Sequence, residues 1–266
     1  MATAPLSRFI LFGDSLTELS YGENGLAAQM GALYTRKLDV LNRGLSGYNT
    51  RWALPCLKEW LPKKDSSSPK TELMTIWLGA NDSALPGEPQ HVPLEEYTQN
   101  LRTILSLLRD PASEYHSPST SFVLLTPPPL YRPDWIQTRI SRGLAGYCDR
   151  TLENTRAYAD AVIKLGKEEG IPVVDCYARI WDAAEHDEEK LQPFFTDGLH
   201  LTAKGYALIA EGVKQVIAEH YPSKHWEHLP LLFPYWRDII TGAMGPQFAL
   251  SNVPDEQKAK GGAEPF

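Results

Sequence analysis

The sequence predicts an α/β protein, a parallel sheet with helices packed on both faces. Two observations carry this. Five short apolar runs alternate with longer stretches of helical period, and such alternation builds parallel strands joined by right-handed helical crossovers. The runs are also continuously apolar rather than strictly alternating, the mark of strands covered on both faces.

In order, the runs are RFILFGDS (8–15), LDVLNRG (38–44), ELMTIWLGAND (72–82), SFVLLTPPP (121–129) and IPVVDCY (171–177). Residues 24–36 supply a helix between the first two runs, and Thr50 caps another that reaches about Trp60. Pro93 opens a third, with Leu94, Tyr97, Leu101, Ile104, Leu105 and Leu108 on one stripe. A long helical segment over 142–169 should stop at Gly170, and the last helix should run from near Thr202 to about His220. Two segments stand outside the pattern: a proline- and aromatic-rich excursion at 127–142 and an aromatic-rich stretch at 221–240. Neither an internal repeat nor a dividing linker is present. The expected organisation is one domain over 1–250, including a C-terminal extension at 221–248, with a flexible tail at 251–266.

Bulk properties exclude several classes. With 42% hydrophobic and 22% charged residues in 266, a packed core is expected and disorder is not. A net charge of −7 without a basic stripe argues against a nucleic-acid partner. Cys56, Cys148 and Cys176 are too far apart for a CxxC pair and fit reduced thiols. The N-terminal apolar run is too short for a signal peptide, and no stretch approaches a membrane span. A cytoplasmic protein is the expectation.

Chemistry should collect outside the carboxyl ends of the strands, where open parallel sheets bind ligands. The first three runs end in Ser15, in Asn42-Arg43-Gly44 and in Gly79-Ala80-Asn81-Asp82. Asp197-Gly198-Leu199-His200 lies in the loop before the last helix and emerges at the same edge. Together these are the parts of acyl transfer. A serine hydroxyl needs a base to take its proton, and His200 can be that base. Asp197 can hold the other imidazole nitrogen. The Asn81 amide and the backbone N–H groups of Gly44 and Ser15 are candidate oxyanion donors. A glycine at 44 would let the backbone approach the substrate.

GDSL (13–16), NRGLSG (42–47), GAND (79–82) and DGLH (197–200) resemble, in order, the four blocks of the SGNH (GDSL) hydrolase superfamily. The resemblance implies that Ser15, Gly44, Asn81 and His200 are the four residues that name it, with Asp197 completing a triad. It implies a three-layer α/β/α, flavodoxin-like sandwich with a five-stranded parallel sheet. It also implies ester hydrolysis without metal or organic cofactor. Within the superfamily, FGDSLTE, WLGAND, the prolines at 127–129, TDGLHLTAKGY and FPYWRDI (233–239) are similar to the isoamyl acetate-hydrolysing esterase group. That narrower likeness implies small carboxylic, acetate-type esters as substrates. The same triad would also serve a deacetylase, a thioesterase or a lysophospholipase. A non-catalytic scaffold would not need every catalytic position filled.

Other residues carry two readings each. Asp14 and Asp82 either support the Ser15 and Asn81 loops or are cap and turn residues. Tyr131 and Trp135 either line the pocket or pack the excursion onto the domain, and Leu199 is a further pocket candidate. His225 and His228 have the spacing of metal ligands but no further ligands at a recognisable distance, so packing is expected. The 221–240 stretch has three readings: a clamp over the domain, a pocket rim, or a homodimer interface burying Trp226, Phe233, Tyr235 and Trp236.

Overall fold

A computed structural model describes residues 6–232 and 235–240. Phe233, the extension beyond 240 and the expected tail at 251–266 lie outside the described residues. The chain runs β1 (Arg8–Gly13), α1 (Ser15–Glu18), α2 (Leu26–Leu33), β2 (Asp39–Gly44), α3 (Thr50–Trp60), β3 (Thr71–Trp77) and α4 (Leu94–Arg109). It continues through β4 (Ser121–Leu125), α5 (Arg132–Ser141), α6 (Leu152–Glu169), β5 (Val173–Val174), α7 (Cys176–Ala183), α8 (Ala203–His220) and α9 (Trp236–Ile240).

All five strands are parallel, in the order β2-β1-β3-β4-β5. Alternate residues of β1 face opposite layers. Phe9 and Leu11 join the core that α2, α7 and α8 cover, while Ile10 and Phe12 join the one beneath α3, α4 and α6. These side chains are essentially inaccessible to water, and each contributes roughly 1.5–3 kcal/mol by burial. The continuously apolar runs are thus explained by two helical layers, which make an α/β/α sandwich.

Strand order reverses between β1 and β3, so their crossovers leave on opposite sides and open a crevice at the carboxyl edge. The register sets Gly13 opposite both Gly44 and Trp77. Three strands therefore end nearly level, with Ser15 and Asn81 following two of them.

Helices deviate from expectation in identifiable ways. The cap of α3 is Asn49, whose side chain accepts from Trp52 N–H at 3.0 Å, because the Thr50 hydroxyl is engaged by Asp82. The segment 142–169 is not one helix. Residues 132–141 of the excursion form α5, Gly143 and Gly146 interrupt the run, and α6 starts only at Leu152 under a Thr151 cap. Its stop at Gly170, in the left-handed conformation, is as expected. β5 is two residues long because Asp175 at once caps α7, an element absent from the sequence reading.

The 221–229 segment clamps over the starts of the strands. Tyr221 Oη donates to Phe122 O at 2.7 Å, Lys224 Nζ to Glu72 O at 2.8 Å and to Ser119 O, and Tyr34 Oη to Lys224 O at 2.9 Å. The Trp226 ring meets Tyr34 edge-on. This is the edge opposite Ser15, so the pocket-rim reading is corrected for these residues. The two spaced histidines are spent locally: His225 stacks on Trp226 at 3.8 Å, and His228 Nδ1 lies 2.7 Å from Pro222 O. Among the described residues, no helix is long and apolar enough to cross a membrane.

Candidate active site

Ser15 is placed by the exit from β1. Asp14 caps α1, its Oδ1 accepting from Leu16 N–H at 2.9 Å. As the first residue of α1, Ser15 has an N–H that no helical carbonyl can take. Its Oγ lies 2.9 Å from His200 Nε2, and His200 Nδ1 lies 2.8 Å from Asp197 Oδ2.

The Asp197–His200 turn holds itself together. Asp197 Oδ1 accepts from the N–H groups of Leu199 at 3.0 Å and His200 at 2.9 Å. Burial alone would raise the Asp197 pKa, but the bonds from the His200 ring and from the two N–H groups outweigh it and lower it to about 2. A carboxylate ionised at neutral pH beside Nδ1 puts the imidazole proton there, which leaves Nε2 free to accept from Ser15. Gly198 docks this turn onto α5. Its φ is +91°, and a Cβ would stand 2.3 Å from Trp135 N and 2.5 Å from Tyr131 O, so no other residue fits.

Asn81 approaches from β3. Its Nδ2 donates to Tyr48 O at 2.8 Å, and its Oδ1 accepts from Gln90 Nε2 at 3.0 Å and Arg150 Nη2 at 3.2 Å. Ser15, Asn81 and His200 open together into a cavity of about 500 Å³, whose walls include Gly47, Trp135 and Leu199. A larger groove, about 730 Å³, lies between α4 and α6 and carries no serine, cysteine or histidine. The candidate serine, asparagine and histidine thus share the smaller cavity and not the larger groove.

The sequence profile of the GDSL-like lipase/acylhydrolase family matches residues 11–208. The chain belongs to this family. It is a carboxylic ester hydrolase. The isoamyl acetate-hydrolyzing esterase 1 homolog of Bos taurus is 38% identical over 234 residues, covering 87% of this chain and 88% of that one. The isoamyl acetate-hydrolyzing esterase of Saccharomyces cerevisiae is 36% identical over 242 residues, covering 88% and 95%. The solved lipase/acylhydrolase of Enterococcus faecalis superposes with a TM-score of 0.55 at 20% identity, over 85% of this chain and 98% of that one, and shares the fold.

In this GDSL hydrolase the glycine expectation needs correcting. Gly44 is not on the cavity wall, and its N–H is taken by Asn42 Oδ1 at 2.9 Å. What requires glycine there is α1, since a Cβ would stand 2.1 Å from Glu18 N. The second glycine of NRGLSG, Gly47, is on the wall instead. Among the described residues, no turn or loop bond claims its N–H.

Asp14 and Asp82 are structural partners rather than cavity residues. Asp82 Oδ1 accepts from the N–H and hydroxyl of Thr50, both at most 2.9 Å away, and so ties β3 to α3. Burial raises both carboxyls, Asp14 to about 7 and Asp82 to about 6, against the donors each one has. Trp135 does line the cavity, its ring edge-on to His200 at 6.5 Å between centroids. Tyr131 does not; its side chain packs on the core, and its N–H donates to Gly198 O at 2.8 Å.

Sequence reasoning missed the wall facing the strand ends, which Gln90, Arg139, Arg142, Asp149 and Arg150 build. Arg142 Nη2 lies 3.3 Å from Asp197 Oδ2, with its guanidinium over Trp135. None of these residues sits in a motif; the excursion's position after a strand end was the one available signal.

Proposed function

We propose that this hydrolase cleaves small carboxylic esters, acetate-type esters first, through an acyl-enzyme on Ser15. The observation that carries the reading is the unbroken line from Asp197 through His200 to Ser15 Oγ, at 2.8 and 2.9 Å, opening into a cavity shared with Asn81. Ser15 Oγ attacks the ester carbonyl carbon as His200 Nε2 takes its proton. The oxyanion is held by the N–H groups of Ser15 and Gly47 and by the Asn81 amide. As the carbonyl re-forms, the C–O bond to the alcohol breaks and His200 returns the proton to the departing oxygen. Water then repeats the sequence on the acyl-serine, with His200 as its base, and frees the acid.

A cavity of about 500 Å³ is in the range of small-molecule sites. The acetate preference is supported by the names of the bovine and yeast relatives at 38% and 36% identity. Hydrolysis of p-nitrophenyl esters from acetate upward is the test. Rates that fall beyond butyrate, and nearly vanish in Ser15→Ala, are expected. A maximum at C8 or longer would overturn the short-ester reading, and undiminished turnover in Ser15→Ala would overturn the mechanism.

A further inference from the structure

The inner wall of the cavity contains a guanidinium cut off from solvent, with Arg150 only 1% exposed. Burying such a charge is costly unless it is paired and its donors are satisfied. Here the satisfaction is directed at one side of the active site. Nε donates to Ala80 O at 2.7 Å, and Nη2 donates to Asn81 Oδ1 at 3.2 Å and to Gln90 Oε1 at 2.8 Å. Nη1 pairs with Asp149 Oδ2 at 2.7 Å, and Asp149 is held in turn by Arg139 and by Trp135 Nε1.

A guanidinium has donors and no acceptor. The atom of Asn81 that faces it must therefore be the carbonyl oxygen, which turns Nδ2 the other way. One hydrogen of Nδ2 goes to Tyr48 O, and the second remains for a ligand. The same logic fixes Gln90, whose Oε1 faces Arg150. Its Nε2 then reaches both Asn81 Oδ1 at 3.0 Å and Gly47 O at 2.8 Å. One buried charge thus orients two amides, and through Gln90 it also fixes the Gly47 turn. A flipped Asn81 would set donor against donor at Arg150 and present an oxygen to the developing anion.

We infer that Arg150 is a positioning residue for transition-state stabilisation: it locks and polarises the Asn81 amide and, through Gln90, holds the Gly47 turn. This rests on Asn81 being an oxyanion donor. Hydrogen-bonded chains strengthen one another, so a cation behind Oδ1 makes Nδ2–H a better donor to negative charge. The effect belongs to the transition state, and it should appear in kcat rather than KM.

A double-mutant cycle decides the matter. Arg150→Met keeps the apolar stem and leaves Asp149 its bonds to Arg139 and Trp135. With p-nitrophenyl acetate as substrate, it should lower kcat roughly tenfold or more with KM little changed. The ceiling is the ~10²–10³ that a whole oxyanion donor is worth. In the Asn81→Ala background, the same substitution should cost at least about threefold less kcat than in the parent, since coupled sites are non-additive, and the loss that remains reports the Gly47 turn held through Gln90. Equal losses in both backgrounds would mean a merely structural role and overturn the inference. Should Arg150→Met fail to fold, Gln90→Leu, which keeps the Arg150–Asp149 pair, runs the same cycle with the same expectation. If Asn81→Ala alone leaves kcat unchanged, the oxyanion reading falls as well. If Asn81→Ala is costly and the cycle additive, only the role of Arg150 falls.

Discussion

Two aspartates flank the Ser15–His200 pair in opposite electrostatic settings. Asp197, half-buried, has both oxygens engaged: two backbone N–H groups on one, the His200 ring and Arg142 on the other. Its pKa falls to about 2. Asp14 is fully buried, with one oxygen on Leu16 N–H and the other without a protein partner. Burial, with the nearby Asp82 charge adding to it, raises Asp14 to about 7. Both stand close to a residue of the site in sequence, Asp14 directly before Ser15 and Asp197 three positions before His200. What separates them is the number of donors the fold aims at each, and only a carboxylate kept ionised can stabilise an imidazolium.

The largest effect expected from this contrast is on turnover. Asp197→Asn should lower kcat on p-nitrophenyl acetate by roughly 10⁴, the loss expected when a triad carboxylate becomes an amide. A loss below tenfold would return Asp197 to the rank of a turn residue. Gly198→Ala comes next. Its Cβ would meet the backbone of Trp135 at 2.3 Å and of Tyr131, the residue that precedes α5, at 2.5 Å, and a non-glycine residue at that φ is strained by roughly 1–3 kcal/mol. Thermal unfolding should show at least that destabilisation, together with reduced turnover as the Asp197 turn lifts from α5.

The pH dependence of stability should carry opposite signs for the two groups. The native pKa of Asp197 lies below its ordinary 3.8, so its contribution is full above about pH 4 and is lost as pH falls toward 2. Asp14 and Asp82 are raised from 3.8 to about 7 and 6. The folded protein then holds protons that the unfolded chain has released, and their contribution is full below about pH 4 and lost as pH rises toward 7. The Tm of Asp14→Asn relative to the parent should therefore climb between pH 4 and pH 8, and a flat difference would contradict the raised value. The smallest effect is on activity in Asp14→Asn. Asparagine caps a helix as well as aspartate does, and kcat at pH 7 should stay within about tenfold.

Much of this site was legible because the signals were local. Apolar runs ending in Ser15 and Asn81, and a self-bonded Asp197–His200 turn, announce themselves within a few residues. The choice between Gly44 and Gly47 was not legible, since it depends on how the chain turns after β2. The physical clue, α1 packing on Gly44, involves a helix of four residues that has no periodicity to detect. The break between α5 and α6 was not legible because isolated glycines are tolerated within a helical pattern, and Gly143 and Gly146 stand among Leu144, Ala145 and Tyr147. Arg150 had no signature, because its partners Ala80, Asn81 and Gln90 lie 60 to 70 positions earlier. A buried charge serving distant neighbours leaves no local pattern.

The clamp of residues 221–229 over the strand starts has a practical consequence. Glu227 and His228 are exposed on that face, a sheet's length from the mouth of the cavity. Attachment to a solid support through a reactive side chain introduced at Glu227 would leave the cavity open to solvent. Ester could then enter and product leave an immobilised preparation without steric obstruction from the carrier.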